Sequence, residues 1–318
     1  MSDTPVEARG LAKRYGHIMA VDGVDLTVTP GDVYGFLGPN GAGKTTTLRM
    51  LLGLIRPSAG DVKLFGRDPL VEGARALDGV AGFVEEPRFY PYLGGRKNLE
   101  LLAAYDGGGA AERIDDVLEQ VDLTARARDK VGGYSHGMRQ RLGIAASLLR
   151  APRLLLLDEP TTGLDPAGMR DMRSMVRGLA ARGMTIVLSS HLLAEVEELC
   201  NRVAIVRSGR IVYEGALDDL KRSGGVGYRL ETTDNALTLR VLTERDGIGD
   251  VRPAGNAIEF SADRDAVAAL SPELARHGIA VLALVPEAAS LEALFFRLTE
   301  EADGSGADGR PDAVEAAA

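Results

Sequence analysis

Apolar and polar residues alternate over 6–11 and 24–29, the period of two that half-buried strands show. A denser apolar run, Val33-Tyr-Gly-Phe-Leu37, leads into a glycine-rich loop. The residues after it, Leu48 to Leu54, carry apolar positions at helical spacing. Strand patterns return at 61–65 and 80–84. Helical patterns near 95–105 and 111–121 are separated by the flexible Gly107-Gly-Gly109, and a long amphipathic run covers Met138 to Arg150. Leu154 to Leu157 are four leucines in a row, which predicts a strand buried on both faces in a mostly parallel sheet. A helix is predicted over 167–182, a core strand over 184–189, and a further helix ending near Cys200. A hairpin of 203–207 with 210–214, turning at Ser208-Gly209, closes the first domain near residue 222.

Gly224-Gly225 reads as a boundary, after which the pattern restarts. Strand 227–232, helix 235–245, strands near 249–252 and 256–261, helix 263–276, strand 279–284 and a closing helix 288–299 follow in turn. That order is β-α-β-β-α-β, compatible with a small ferredoxin-like α+β domain over 227–300. Nothing in it suggests chemistry, so it reads as a regulatory, docking or dimerisation module. Residues 301–318, rich in Gly, Ala and Asp, are expected to form a disordered acidic tail.

The chemistry concentrates in the loop after Leu37. Gly38-Pro39-Asn40-Gly41-Ala42-Gly43-Lys44-Thr45-Thr46 fits G-x-x-x-x-G-K-[ST], a P-loop set between a strand and a helix. Its glycines let consecutive N–H groups turn toward one anion, and the helix beginning near Gly43 adds free N–H groups and its dipole. Lys44 is placed to reach the β- and γ-phosphates, and the Thr45 hydroxyl to ligate Mg²⁺. Asp158 and Glu159 end the leucine strand, at the sheet edge where open α/β folds bind ligands. Asp158 fits a Mg²⁺-linked carboxylate, and Glu159 a group that orients or deprotonates water. His191 follows the next core strand and is expected at the same edge. Ser135 is a plausible helix N-cap, and with Gly137 makes a second candidate phosphate contact. Tyr15 is read either as packing or as a ring that stacks on a purine.

Composition bounds this picture. The 318 residues are 45% apolar and 26% charged, with a formal net charge of −9, a soluble type whose bulk charge gives no reason to expect nucleic acid as a partner. No apolar run approaches the roughly 18 residues of a membrane span, and Met1 to Gly10 has no basic-then-apolar leader. The single Cys200 fits a reducing compartment. A cytoplasmic location is therefore expected.

Tyr134-Ser-His-Gly-Met-Arg-Gln-Arg-Leu-Gly-Ile144, placed shortly before Leu-Leu-Leu-Leu-Asp-Glu-Pro, resembles the signature stretch of ABC-transporter nucleotide-binding subunits. The resemblance covers roughly residues 5–222 in the family's motif order. It implies an α/β P-loop NTPase of ABC type: a mostly parallel core sheet, an antiparallel β subdomain and a helical subdomain over about 86–150. By the same resemblance Tyr15 matches the aromatic that stacks on adenine, and Gly38 to Thr46 the phosphate loop. Asp158 matches the Mg²⁺-linked aspartate, Glu159 the catalytic glutamate, Gly163-Leu164-Asp165 the D-loop and His191 the switch histidine. It further implies a head-to-tail dimer around two Mg·ATP, in which Ser135 and Gly137 of one subunit meet the γ-phosphate held by Lys44 of the other. The dimer would drive a separate multi-span membrane permease from the inner face of the membrane, through the segment from Glu85 to about Leu99.

Two positions depart from the family pattern. His136 stands where many members have a second Gly, and Met138 where many have Gln. Glu85 replaces the usual Gln of the Q-loop; a carboxylate can ligate Mg²⁺ but cannot donate a hydrogen bond. The Glu variant resembles exporter ATPases of the bacitracin-resistance and lantibiotic-immunity type, and the C-terminal domain is similar to that of the daunorubicin-resistance kind. Export of a drug, antibiotic or peptide is thus the favoured expectation. The alternative is a soluble ABC ATPase for cluster assembly, ribosomes or DNA. One ATPase half per chain and the lack of a long coiled-coil insertion weigh against the ribosomal and DNA-repair versions.

Overall fold

A computed structural model of the chain describes residues 3–105, 109–223 and 226–288, with Leu291, Glu292, Leu294, Phe295 and Leu298 beyond them. The Gly224-Gly225 boundary, two of the three expected flexible glycines, half of the expected closing helix and the tail 301–318 lie outside the described residues. The chain divides into two compact units, Met1–Gly215 and Ala216–Ala318.

The first unit is built on a six-stranded sheet. Its strands, numbered with all others in chain order, are β3 (Val33–Leu37), β5 (Val80–Phe83), β6 (Leu154–Asp158), β7 (Thr185–Ser190), β8 (Arg202–Arg207) and β9 (Arg210–Ala216), ordered β5-β6-β7-β3-β8-β9. From β5 to β8 neighbouring strands run parallel. Every residue of β3, β6 and β7 is buried, which explains why their central residues read as apolar runs rather than as alternation. Their carboxyl ends therefore share one edge, and Gly38, Asp158 and His191 lie there or one residue beyond. β8 and β9 meet at Ser208 and Gly209, whose φ values of 49° and 81° suit the two central residues of a tight hairpin turn.

A second sheet, antiparallel and three-stranded, holds β1 (Val6–Tyr15), β2 (Ile18–Val28) and β4 (Ala59–Leu64) in the order β2-β1-β4. β1 and β2 run well beyond the expected strands, so Lys13, Arg14 and Tyr15 lie inside β1 rather than between two strands. The register shifts at Ala8/Leu11, Leu11/Lys13 and Lys13/Arg14. Each irregularity breaks the period of two that the sequence pattern relies on.

Helices Gly95–Tyr105, Ile114–Gln120 and His136–Leu148 form the helical part of this unit. They bury Leu99, Ala103, Ile114, Leu118, Leu142 and Ala145. The second starts later than its sequence pattern because Gly109–Arg113 takes a tighter 3₁₀ turn.

The second unit opens with the helix Leu217–Ser223. Its four strands, β10 (Val226–Thr232), β11 (Ile248–Ala254), β12 (Ala257–Ala262) and β13 (Val281–Ala288), lie in the order β11-β12-β10-β13, every neighbouring pair antiparallel. Helices Asn235–Thr243 and Arg264–Arg276 connect them in a split βαβ arrangement. Tyr228 and Phe260 stack in its core at 5.6 Å between ring centroids, with Leu230, Leu242 and Leu274 around them.

Candidate active site

The loop after β3 is shaped by close backbone approach. A Cβ at Gly38 would lie 2.4 Å from the Val206 carbonyl oxygen, and one at Gly43 would lie 2.4 Å from that of Ala20. Gly43 caps the helix Lys44–Leu51 with φ 103°, a conformation that L side chains rarely adopt. The first N–H groups of that helix therefore open onto a loop with room only for backbone.

Lys44 is 4% exposed, yet its ammonium is not stranded. It donates to the carbonyls of Gly38 (2.8 Å) and Pro39 (3.1 Å) and lies 3.2 Å from Glu159 Oε1. Thr45 Oγ1 donates to Asp158 Oδ2 at 2.9 Å. The other Asp158 oxygen accepts from the Ser189 hydroxyl, and Ser189 Oγ accepts in turn from the Glu159 amide at 2.9 Å. Glu159 Oε2 accepts from Thr162 Oγ1 at 2.8 Å and lies 3.2 Å from His191 Nδ1. Lys44, Thr45, Asp158, Glu159 and His191, scattered over nearly 150 residues of sequence, thus form one bonded cluster at the sheet edge.

The electrostatics of Glu159 follow from these partners. Partial burial alone pushes its carboxyl up. The Thr162 hydrogen bond, the Lys44 ammonium and His191 outweigh burial and hold it below the usual range. Glu159 is therefore a carboxylate at neutral pH. Its φ of 45° is unusual for so large a side chain, a conformation held by the bonds around it.

Thr45 and Asp158 offer two hard oxygen donors side by side. That number suits Mg²⁺, which takes its remaining ligands from phosphate and water. Among the described residues no group of three or more His, Cys, Asp or Glu gathers for a metal. Glu85, expected as a further metal ligand, stands apart. Its carboxylate pairs with Arg49 on the phosphate-loop helix and makes no bond to Thr45 or Asp158. An exposed carboxylate takes the guanidinium presented to it.

Ser135 caps the helix His136–Leu148, accepting from the Met138 amide at 3.2 Å. Gly137 follows in its first turn, where a Cβ would make only ordinary contact with Leu164. Asp165 caps the helix Pro166–Ala181 through the Gly168 amide at 2.9 Å. Tyr15 closes β1 with its ring 46% exposed and the Lys13 ammonium 5.1 Å from the ring centroid. Within one chain, then, neither Tyr15 nor the Ser135-Gly137 pair is bonded to the Lys44 cluster.

Three members of the cluster have no motif of their own. Ser189 joins Asp158 to the Glu159 backbone. Thr162 holds the Glu159 side chain. Glu195, only 3% exposed, accepts from the Ser190 hydroxyl just before His191. Burial pushes the Glu195 carboxyl up, against the opposing pull of Ser190 and Arg173. The one available signal was polar residues, Ser189 and Ser190, ending an otherwise apolar strand.

Comparison with known proteins gives a consistent result. A family model described as "ABC transporter" matches residues 21–162. The bacitracin transport ATP-binding protein BcrA of Bacillus licheniformis is 38% identical over 93% of this chain and 97% of its own. The daunorubicin resistance ATP-binding protein DrrA3 of Streptomyces coeruleorubidus is 44% identical over 73% of this chain and 74% of its own. Among solved structures, one described as the ATP binding subunit of an ABC transporter superposes with a TM-score of 0.62 at 29% identity, covering 69% of this chain and 93% of that one.

Proposed function

The chain belongs to the family of ABC-transporter ATP-binding subunits, and on that premise we propose that it hydrolyses ATP at the Lys44–Glu159 cluster to drive export of a drug, antibiotic or peptide through a separate membrane permease. The observation that carries the site assignment is the convergence of Lys44, Thr45, Asp158, Glu159 and His191 at one sheet edge. The names of the relatives, bacitracin transport and daunorubicin resistance, favour an exporter over a soluble ATPase.

In this reading the loop N–H groups and Lys44 bind the β- and γ-phosphates. The Lys44 ammonium leaves the carbonyls of Gly38 and Pro39 and the Glu159 carboxylate to do so. That exchange frees Glu159 to orient a water and to receive part of its proton. Thr162 and His191 keep the carboxylate aimed, and His191 reaches the γ-phosphate side. Mg²⁺, held by Thr45 and Asp158, supplies charge neutralisation on the phosphate oxygens when bound. Tyr15 stacks on the adenine. Ser135 and the N-terminus of its helix serve the γ-phosphate of a second, head-to-tail copy, with Asp165 at that interface.

Among the described residues no helix is long and apolar enough to cross a membrane. In this reading the transport path lies in a separate permease, and this subunit sits beside it on the inner face of the membrane. A cavity of about 470 Å³ lined by Phe83, Pro87, Phe89 and Leu102 adjoins the expected coupling segment. Beside it Tyr90 and Tyr92 are exposed, their ring centroids 5.8 Å apart. An apolar hollow rimmed by aromatics suits a protein partner.

The dimer is tested by light scattering of the purified Glu159→Gln chain. Mg·ATP should convert monomer to dimer, and a Ser135 substitution should prevent it. A mass that stays monomeric at saturating Mg·ATP would contradict the head-to-tail arrangement.

A further inference from the structure

His136 opens the helix His136–Leu148, and its ring is not idle. Nε2 lies 3.0 Å from the Thr162 carbonyl oxygen, and Nδ1 lies 3.3 Å from Glu86 Oε1. The same Glu86 oxygen accepts from Arg139 Nε at 3.3 Å. A carbonyl can only accept, so Nε2 carries the proton that faces it.

Thr162 is the residue through which this contact matters. Its hydroxyl donates to Glu159 Oε2 at 2.8 Å, and its amide donates to the Glu159 carbonyl at 3.1 Å. Two of its polar groups thus hold Glu159 and the third is held by His136. The turn closes directly on the ring. Gly163 has φ 76°, and a Cβ there would lie 3.3 Å from His136 Nε2. Glu159 itself occupies a left-handed conformation that needs such outside support.

We infer that His136 is a positioning residue for Glu159, acting through Thr162, and that Glu86 ties this device to the segment facing the membrane partner. The contact series Glu86–His136–Thr162–Glu159, in which the first step is a 3.3 Å approach and the others are hydrogen bonds, runs from just beyond β5 to the reacting carboxylate without leaving the subunit. A shift of the coupling segment against the helix His136–Leu148 moves the His136 ring, and with it the turn that aims Glu159. With Gly at 136 the Thr162 carbonyl would face water and the turn would lose this anchor.

The inference rests on Glu159 being the group that works on water, so Glu159→Gln is measured alongside. The full chain is purified as wild type, His136→Ala, His136→Gln, Thr162→Val and the double variant His136→Ala/Thr162→Val. Steady-state ATP turnover gives kcat, and titration with a fluorescent ATP analogue gives Kd. Thermal melts check folding; if the Ala variant melts early, His136→Leu fills the space without the N–H and runs the same cycle. His136→Ala should lower kcat about fivefold, the worth of one lost hydrogen bond, with Kd unchanged. Gln, which can still donate to the Thr162 carbonyl, should recover part of that loss. On the Thr162→Val background, where the side-chain link to Glu159 is cut and only the backbone amide bond remains, His136→Ala should cost clearly less than it does on the wild-type background. An equal loss on both backgrounds, an unchanged kcat, or a loss confined to Kd would overturn the inference. If Glu159→Gln keeps full turnover, the reading of the site falls and the positioning role with it. If Glu159→Gln is inactive while the cycle is additive, only the role of His136 falls.

Discussion

Replacing Glu159 by Gln should do two opposite things: slow turnover and tighten nucleotide binding. The second effect comes from the 3.2 Å contact between Lys44 Nζ and Glu159 Oε1. At that separation and an effective dielectric of about 20, the gross attraction is about 5 kcal/mol. Most of it is offset, because both groups give up hydration and Lys44 keeps its bonds to the Gly38 and Pro39 carbonyls. A net worth of about 1 kcal/mol is typical of partly exposed pairs. ATP must break that contact to claim Lys44, whereas the neutral amide of Gln barely competes for it. The variant should therefore bind ATP about fivefold tighter. Loss of one negative charge beside the γ-phosphate acts in the same direction. Turnover should fall by roughly 100- to 10,000-fold, the usual worth of a positioned general base. Titration with a fluorescent ATP analogue and a phosphate-release assay measure the two quantities on one preparation. Weaker ATP binding in Glu159→Gln would refute the proposed competition for Lys44, and full turnover would remove Glu159 from its role.

Lys44→Ala should weaken ATP binding by about 10- to 100-fold, the value of a charged hydrogen bond to phosphate; an unchanged Kd would count against the phosphate cradle. Gly43→Ala should destabilise the first unit by at least about 3 kcal/mol, since its Cβ would lie 2.4 Å from the Ala20 carbonyl at φ 103°, and a denaturant melt measures it. Glu195→Gln tests the buried carboxyl behind His191. Burial raises that carboxyl above the ordinary value of about 4.3, so the native state loses stability as pH climbs from there through the raised value. Gln escapes this loss and can still accept from Ser190. The variant should melt a few degrees higher than wild type at pH 8 and no higher at pH 4, read by thermal scans at the two values.

What could be read in the sequence was what depends on neighbours along the chain. Gly38 to Thr46 needs its residues at fixed offsets, so the loop, the helix start at Lys44 and the role sought for Thr45 were visible together. Leu154 to Leu157 announced a strand buried on both faces, which in turn placed Asp158 and Glu159 at the sheet edge. Contacts between distant segments left no such trace. Ser189 reaches Asp158 across 31 residues and Arg49 reaches Glu85 across 36. Neither has a spacing rule, and the second is why Glu85 sits beside a guanidinium instead of the Thr45–Asp158 pair. β1 ran past its expected end and β2 began ahead of its expected start because irregular register hides alternation. β13 begins at Val281 rather than 279 and carries its own shift opposite Glu231 and Thr232.

The most direct test is recovery of the tagged full chain from native membranes under mild detergent, followed by mass spectrometry of what accompanies it. An ATPase subunit built to drive a permease should bring down a protein of several membrane spans, and substitution of Tyr90 and Tyr92 should reduce its yield. Recovery only in the soluble fraction, with ribosomes, DNA or cluster-assembly proteins in its place, would contradict the transporter account.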